Sequence, residues 1–291
     1  MTSRAAKHPA GARSGRGSRA FLVGLARAFA GALIFALPMF MTMEMWRIGT
    51  HTNPWKLALL LLLMVPLLVG LSRYAGFKHT ELWRDGLADA LVAIVVAFVV
   101  AVLVCAVFAI VTSDMGAREI IGKIALQLVP GSIGAMLARA QLAGEADDPD
   151  EERDKREREE PDGYWSELFI MGVGALFLSL NVAPTEEVLI LSYQMGPWHT
   201  LALVLLSLAV MHAFVYVVEF RGMPSTHPDA AFWSLFLRFT VTGYALVLAI
   251  CLYLLWTFDR TEGASLEAVI GTLVVLGFPG AVGAAAARLI F

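Results

Sequence analysis

The sequence predicts an all-α polytopic membrane protein, with about eight transmembrane helices arranged as two tandem four-helix repeats related by pseudo-twofold symmetry. Three observations support this fold class. Hydrophobic residues make up 58% of the 291 residues and the mean hydropathy is +0.70, which exceeds the apolar share of ordinary soluble domains. The apolar residues fall in blocks long enough to cross a hydrocarbon layer of roughly 30 Å. Finally, the two halves of the chain resemble each other.

Eight apolar blocks are predicted to span the membrane, and the fourth is the ambiguous one. The fourth block carries Arg118, Glu119 and Lys123 in its first turns, so a crossing helix and an interfacial or re-entrant segment both stay open there. The first block runs on to Trp46 without a small-residue cleavage site, which favours a retained span over a cleaved signal. The eight predicted spans are 21–46, 55–74, 86–112, 117–140, 165–192, 198–219, 231–257 and 265–290.

Two polar segments divide the chain into domains. Residues 1–20 are basic and rich in Ala, Gly and Ser, and we interpret them as a disordered cytoplasmic tail. Residues 143–163 are too charged to bury and form an acidic cytoplasmic linker, either solvated or a short exposed helix. The first four-helix repeat is therefore predicted at 21–142 and the second at 164–291. The net charge of −3 averages the basic tail against the acidic linker, and nothing in the sequence indicates nucleic-acid binding.

Two pairs of segments carry the predicted duplication. They occur in the same order in both halves, and the first pair aligns without a gap over a shift of 143 positions. Such matches are typical of an internal repeat. The second pair is a Pro-Gly-x-x-Gly-Ala element, whose small residues predict close helix approach, with a flexible gate as the alternative. The pairs are GALIFALPMFMTMEMW from Gly31 with GALFLSLNVAPTEEVL from Gly174, and PGSIGAMLAR from Pro130 with PGAVGAAAAR from Pro279.

The number of spans and the loop charges predict the orientation. Four spans per repeat is an even number, so both repeats enter from the same side, related by an axis along the membrane normal. Lys and Arg concentrate in the tail, in the loop after the second span and in the linker, which favours cytoplasmic termini in the cell membrane. The exceptions in the opposite loops are Arg47, Lys56, Arg118 and Arg260.

A Thr-x-Glu element recurs in the first span of each repeat. The shift pairs Thr42 with Thr185 and Glu44 with Glu187, whereas Glu186 has only a methionine opposite. A charged residue at the centre of a membrane helix costs roughly 2.5 to 3.5 kcal/mol on insertion scales, and such residues are usually functional. The alternative is that the acids lie at the outer interface, or pair with an arginine and only orient the helices.

A proline precedes each Thr-x-Glu element and frees backbone carbonyls nearby. Carbonyl, hydroxyl and carboxylate oxygens suit a hard cation or a proton relay. The sequence therefore predicts a cation channel or transporter, for protons, monovalent or divalent cations, with proton coupling left open. The expected partners are the lipid bilayer and this cation, no cofactor is predicted, and a homo-oligomer stays open. The predicted pathway residues are Glu44, Glu187, Glu186, Thr42, Thr185, Asn181 and His212.

The segments LPMFMTMEMW, NVAPTEEVL and PGSIGAMLAR resemble a bacterial family known only as integral membrane proteins of unknown function. The resemblance covers most of both halves, without the tail and the linker. It implies a polytopic membrane fold, and it implies neither an activity nor catalytic residues.

Two other functions stay open. Paired glutamates followed by His212 are similar to the glutamate-dependent intramembrane proteases that process prenylated proteins, in which a glutamate and histidines activate water. The arginine and the second histidine of that pattern are absent here. His212 is equally compatible with a hydrogen-bonded packing role. The third hypothesis is a non-catalytic assembly or scaffold protein that recruits a partner through the acidic linker.

Overall fold

The computed structural model describes residues 11–74, 83–143, 164–220 and 236–290. Within these ranges the chain forms ten α-helices, five before the linker and five after it. The first five are α1 (Gly11–Phe40), α2 (Met43–His51), α3 (Pro54–Tyr74), α4 (Trp83–Val107) and α5 (Ala117–Ala143). The others are α6 (Tyr164–Val182), α7 (Glu187–Gln194), α8 (Pro197–Phe220), α9 (Thr242–Thr257), which follows a π-helical turn at Phe236–Val241, and α10 (Leu266–Ile290).

Eight of the described helices, with the π-helical turn counted as part of α9, are long and apolar enough to cross a membrane, which confirms the predicted number of spans. The fourth predicted span is the continuous helix α5, Ala117–Ala143. In the most apolar stretch of α5, 78% is buried inside the protein, which is the highest share among the eight candidate spans. The charged first turn of α5 therefore begins a central helix rather than a re-entrant segment.

The first and fifth predicted spans differ most from expectation, because each is two helices. Residues 41–42 separate α1 from α2, and residues 183–186 separate α6 from α7. Pro38 lies in the last turn of α1, and Pro184 lies within the second gap. The helix α1 also begins ten residues before the predicted span, so it includes residues 11–20 of the predicted tail. Residues 1–10 and the linker beyond residue 143 lie outside the described residues.

The two halves pack in matching patterns. The central helix α5 packs on α1, α2, α3 and α4, and α10 packs on α6, α7, α8 and α9. The glycines align as well. A Cβ atom on Gly31 or Gly134 would clash with the facing backbone where α1 crosses α5, and the same holds for Gly174 and Gly283 where α6 crosses α10. These contacts support the predicted duplication, which itself stays a prediction.

The turns that end α4 and α9 also match. Ala109 and Asp259 adopt positive φ, 53° and 59°, in the left-handed region that commonly terminates helices. In each turn the following amide, at residue 110 or 260, donates to the carbonyl five residues earlier, over 2.9 and 2.8 Å. This Schellman-type arrangement satisfies carbonyls at the helix end and directs the chain back towards the central helix of its half.

Contacts between the halves are one-sided. The helix α3 packs on α6 and α9, and α5 contacts α6. A pseudo-twofold axis would place α8 against α1 and α4 in the same way, and no comparable packing is found among the described helices. The twofold relation therefore remains a prediction that these contacts do not support.

Candidate functional site

The two helix breaks lie at the same end of the bundle. The helix α2 returns to the beginning of α5, where Gly49 lies against Gly122. The helix α7 likewise returns to the beginning of α10, where the hydroxyls of Ser192 and Thr272 are 3.2 Å apart. We call this the α2/α7 end. It also carries the loops 108–116 and 258–265, which lead into α5 and α10.

Side chains just beyond the first break satisfy the end of α1. The Thr42 hydroxyl donates to the carbonyl of Pro38 over 2.6 Å, and the Trp46 indole donates to the carbonyl of Phe40 over 2.9 Å. Because a hydroxyl has one proton and two lone pairs, the Thr42 oxygen can still accept a donor or ligate a cation. This break is thus closed by neutral groups from its own segment.

A cationic side chain reaches the second break. The guanidinium of Arg260, in the loop before α10, donates to the carbonyl of Pro184. Thr185 donates to Val182 over 2.8 Å, and the Asn181 amide donates to the carbonyl of the residue four positions earlier over 2.7 Å. Positive charge therefore already lies beside the freed backbone here, whereas the first break has none among its described hydrogen bonds.

The three predicted carboxylates are accessible. Glu44 is half-buried in the first turn of α2, and Glu187 is exposed in the first turn of α7, next to exposed Glu186. Within the described ranges none of these carboxylates makes a hydrogen bond or a salt bridge. Because α2 packs on α5 and α7 packs on α10, each acid is held within its own half, and the structure shows no contact that would join them into one site.

His212 is separated from the other predicted residues. Its Nδ1 lies 2.9 Å from the Thr240 hydroxyl, and its ring meets Phe236 edge-on at 5.1 Å. It lies fifteen residues after α8 begins at Pro197, which at 1.5 Å per residue is roughly 22 Å along the helix from the α2/α7 end. His212 therefore belongs to the contact between α8 and the π-helical turn.

A comparison of the sequence with known protein families agrees with the eight candidate spans. A family model described as "Putative integral membrane protein (DUF2391)" matches residues 24–291. The chain belongs to this family. The match confirms the resemblance and establishes a multi-span integral membrane protein, without specifying an activity. No curated protein and no solved structure matches the chain.

Lys56 of the DUF2391 chain is buried. The sequence showed it only as one of the basic residues in the loops that are otherwise poor in Lys and Arg. The Lys56 ammonium donates to the carbonyl of Trp256 over 2.9 Å and lies 2.5 Å from Asp259 and 2.8 Å from Glu262. It also lies 4.8 Å from the centre of the Trp256 ring. This cluster ties the beginning of α3 to the loop after α9, and so joins the two halves at the α2/α7 end.

A second buried lysine of the DUF2391 chain acts within the first half. Lys123 lies 2.9 Å from Glu119 and donates to the carbonyl of Ile110 over 3.0 Å. It therefore fastens the loop 108–116 to the beginning of α5. The available signal in both cases was a basic residue on the side of the membrane that is poor in Lys and Arg.

The described residues hold no cluster of three or more His, Cys, Asp or Glu side chains that could bind a metal. A cation at either break of the DUF2391 chain would therefore need hydroxyl and carbonyl oxygens in addition to a carboxylate. The first break offers Glu44 and the Thr42 hydroxyl. The second offers Glu187, Glu186 and Thr185, but beside Arg260.

Proposed function

We propose that this protein binds a cation and moves it across the membrane, as a channel or a transporter, with Glu44 and Glu187 as carboxylate ligands at the helix breaks. The observation that carries the proposal is that α1 and α6 end at corresponding positions, and that each is followed by a short helix with a glutamate in its first turn. Interrupted membrane helices at corresponding positions of two halves are typical of substrate sites in secondary transporters.

The chemistry of the first break favours a cation more than that of the second. The Glu44 carboxylate lies in the first turn of α2, where the amino-terminal dipole stabilises it, and it makes no salt bridge among the described residues. The Thr42 oxygen, two residues earlier in the chain, supplies a neutral ligand. At the second break the Arg260 guanidinium repels a second cation. We therefore assign the dominant cation ligand to Glu44, with Glu187, Glu186, Thr185 and Asn181 lining a weaker second position.

The orientation belongs to the same proposal. Cytoplasmic termini in the cell membrane would place the α2/α7 end outside, as the concentration of Lys and Arg in the tail, in the loop after α3 and in the linker favours. The cation would then meet both glutamates from the outer side. The duplication is part of the proposal too, and the matching glycine crossings and turns support it.

Cation flux into proteoliposomes tests the assignment. We expect Glu44→Gln to reduce flux of protons, monovalent or divalent cations by at least tenfold, and Glu187→Gln to reduce it less. Glu267→Gln is the matched control, because Glu267, like Glu187, is an exposed acid in the first turn of a helix at the α2/α7 end. Wild-type flux in a folded Glu44→Gln variant, judged by circular dichroism and gel filtration, would refute the proposal.

The geometry offers less to the alternatives. A hydrolase would need a glutamate and His212 to reach one water molecule, but His212 lies roughly 22 Å along α8 from the α2/α7 end. A scaffold role rests on the acidic linker, which beyond residue 143 lies outside the described residues. The scaffold hypothesis therefore gains no observation from the fold.

A further inference from the structure

Inside the chain, α3 docks into a groove between α6 and α9. The ring of Phe169 lies directly against Gly70, where any Cβ atom would press on the ring at 2.6 Å. The groove retains a cavity of about 380 Å³ with an apolar lining that includes Leu63, Leu246 and Tyr253. At the α2/α7 end the contact is closed by the ion pairs of Lys56. This intramolecular interface defines how a first half meets a second half.

The counterpart of α3 has no such partner among the described helices. The 143-position shift makes α8 the counterpart of α3. However, only 11% of the most apolar stretch of α8 is buried, against 44% of that of α3. The counterpart of the groove between α6 and α9 is the face between α1 and α4. Within the described residues α8 does not pack on that face. The described part of the chain therefore contains one interface between halves, and it leaves both surfaces of the equivalent second interface uncontacted.

Each of these two surfaces carries a pair of exposed alanines with the same spacing. On α8, Ala209 and Ala213 are exposed and one turn apart, and on α1, Ala26 and Ala30 have the same spacing and exposure. Small residues four apart let membrane helices approach closely. The shift maps Gly70 onto Ala213 and Phe169 onto Ala26, so the pair in contact inside the chain corresponds to a pair of exposed alanines. Leu206 on α8 with Val99 and Leu103 on α4 would enlarge the apolar contact, since all three are exposed.

The polar ends of the two surfaces are complementary as well. The position of Lys56 is taken by His199 at the beginning of α8, and His199 is exposed. The loop 108–116, the counterpart of the loop that receives Lys56, presents exposed Asp114. A histidine and an aspartate can replace the buried lysine cluster with a weaker, accessible pair.

We propose that α8 of one copy docks on the α1 and α4 face of a second copy, repeating between chains the interface that joins the halves within a chain. Such a contact is heterologous, because different surfaces meet on the two partners. Copies in one membrane share one orientation, so the contact relates them by a rotation about the membrane normal, and we propose that its repetition closes a ring. An apolar surface in a membrane is ordinarily covered by lipid. The reason to assign a protein here is that the equivalent surface is covered by protein in the other half.

Disulfide cross-linking between two differently tagged chains tests the proposal. One chain carries Ala26→Cys and the other Ala213→Cys, while Cys105 and Cys251 are buried and do not compete. After co-reconstitution into lipid vesicles and oxidation, we expect a product of two chains that carries both tags. A single chain with Gly70→Cys and Phe169→Cys should form the corresponding bond internally. Leu62→Cys, on an exposed part of α3, replaces Ala213→Cys in the positional control and should give less than a tenth of the product.

The other outcomes would overturn the proposal. Equal cross-linking with the Leu62 control would indicate random collision, and a dominant product between two Ala213→Cys chains would indicate a symmetric interface. A single-chain mass in lipid nanodiscs, without the mixed product, would assign the α8 surface to lipid. If the ring forms, Ala213→Trp should reduce the assembly to single chains without unfolding them. Cation flux is a separate measurement, so loss of the ring and loss of transport remain distinguishable.

Discussion

The two halves share their apolar packing but differ in their polar chemistry. Both cross their first and last helices at a pair of glycines, and both end the fourth helix with the same left-handed turn. At the helix breaks they diverge. The first is closed by Trp46 and Thr42 from its own segment, and the second receives Arg260 from a loop 76 residues away.

This difference indicates which contacts could change independently after the proposed duplication. Glycine crossings require both helices to keep small residues, so one partner cannot change without the other. A freed carbonyl needs only one donor, and an indole or a guanidinium can supply it. The halves can therefore keep one fold while one break is closed by neutral groups and the other by a cationic one, which is why the proposed cation site is assigned mainly to the first.

The glycine crossings occur in both halves, so substituting a glycine should destabilise the protein equally in either half. We expect this loss of stability to be the largest of the predicted effects. We expect Gly134→Val and Gly283→Val each to destabilise the protein by roughly 1 to 3 kcal/mol or more, because overpacking forces the crossing helices apart. Thermal or denaturant unfolding in detergent measures this. Gly24→Val is the control, since a Cβ atom on Gly24 meets nothing within 4 Å. A large effect in one half alone would contradict the equivalence of the two crossings.

Replacing Arg260 should change the chemistry of the second break and leave the first break unaffected. Arg260→Met removes a charged donor from the Pro184 carbonyl, and we expect a loss of about 1.5 to 3 kcal/mol in the free energy of unfolding. The same variant should increase cation affinity at the second break, so that Glu187→Gln then reduces flux as strongly as Glu44→Gln. Arg118→Met is the control, because Arg118 is exposed on the same side. Unaltered flux in Arg260→Met would show that the charge does not restrict the second break.

A smaller effect is expected at the first break. Trp46→Phe keeps an aromatic ring and removes the hydrogen bond to the Phe40 carbonyl, which should cost roughly 0.5 to 1.5 kcal/mol of stability. Trp198→Phe is the control, because that indole is 81% exposed. If both variants are equally stable, the first break does not depend on the indole donor.

The smallest expected effect is a pH dependence in the loop 108–116. The Thr112 hydroxyl donates to the Asp114 carboxylate and lowers its pKa from the ordinary value near 3.8. A lowered pKa favours the folded state above the unfolded pKa, and this contribution disappears as pH falls through the folded pKa. Thr112→Val should therefore make unfolding midpoints less different between pH 5 and pH 3. An unchanged difference would mean that the hydroxyl does not stabilise the carboxylate.

Sequence reasoning located the helix breaks better than it located their partners. The prolines before each Thr-x-Glu element indicated freed carbonyls around residues 38–44 and 181–187, and the structure ends a helix at each place, although the predicted spans ran through both. The number of spans followed from apolar blocks alone. Local patterns of this kind are visible because helix interruption and burial depend on neighbouring residues.

The tertiary contacts of the two long basic side chains could not be predicted. Arg260 reaches back 76 residues and Lys56 forward more than 200, and neither distance leaves a periodic trace in the sequence. Trp46 ends the first predicted span, and nothing in the sequence indicated that its half-buried indole donates to the Phe40 carbonyl. The one-sided contact between halves was also invisible, because a repeat specifies equivalent elements without specifying the rotation that relates them.

The dense packing within each half, compared with the thin contact between halves, has a consequence for synthesis. All helices of the first half can associate around α5 before the ribosome has made α6, and domains generally fold as units in the order of their synthesis. We expect the second half then to complete its own core around α10, with the contact along α3 forming last. Biogenesis would in that case resemble the assembly of two covalently linked subunits.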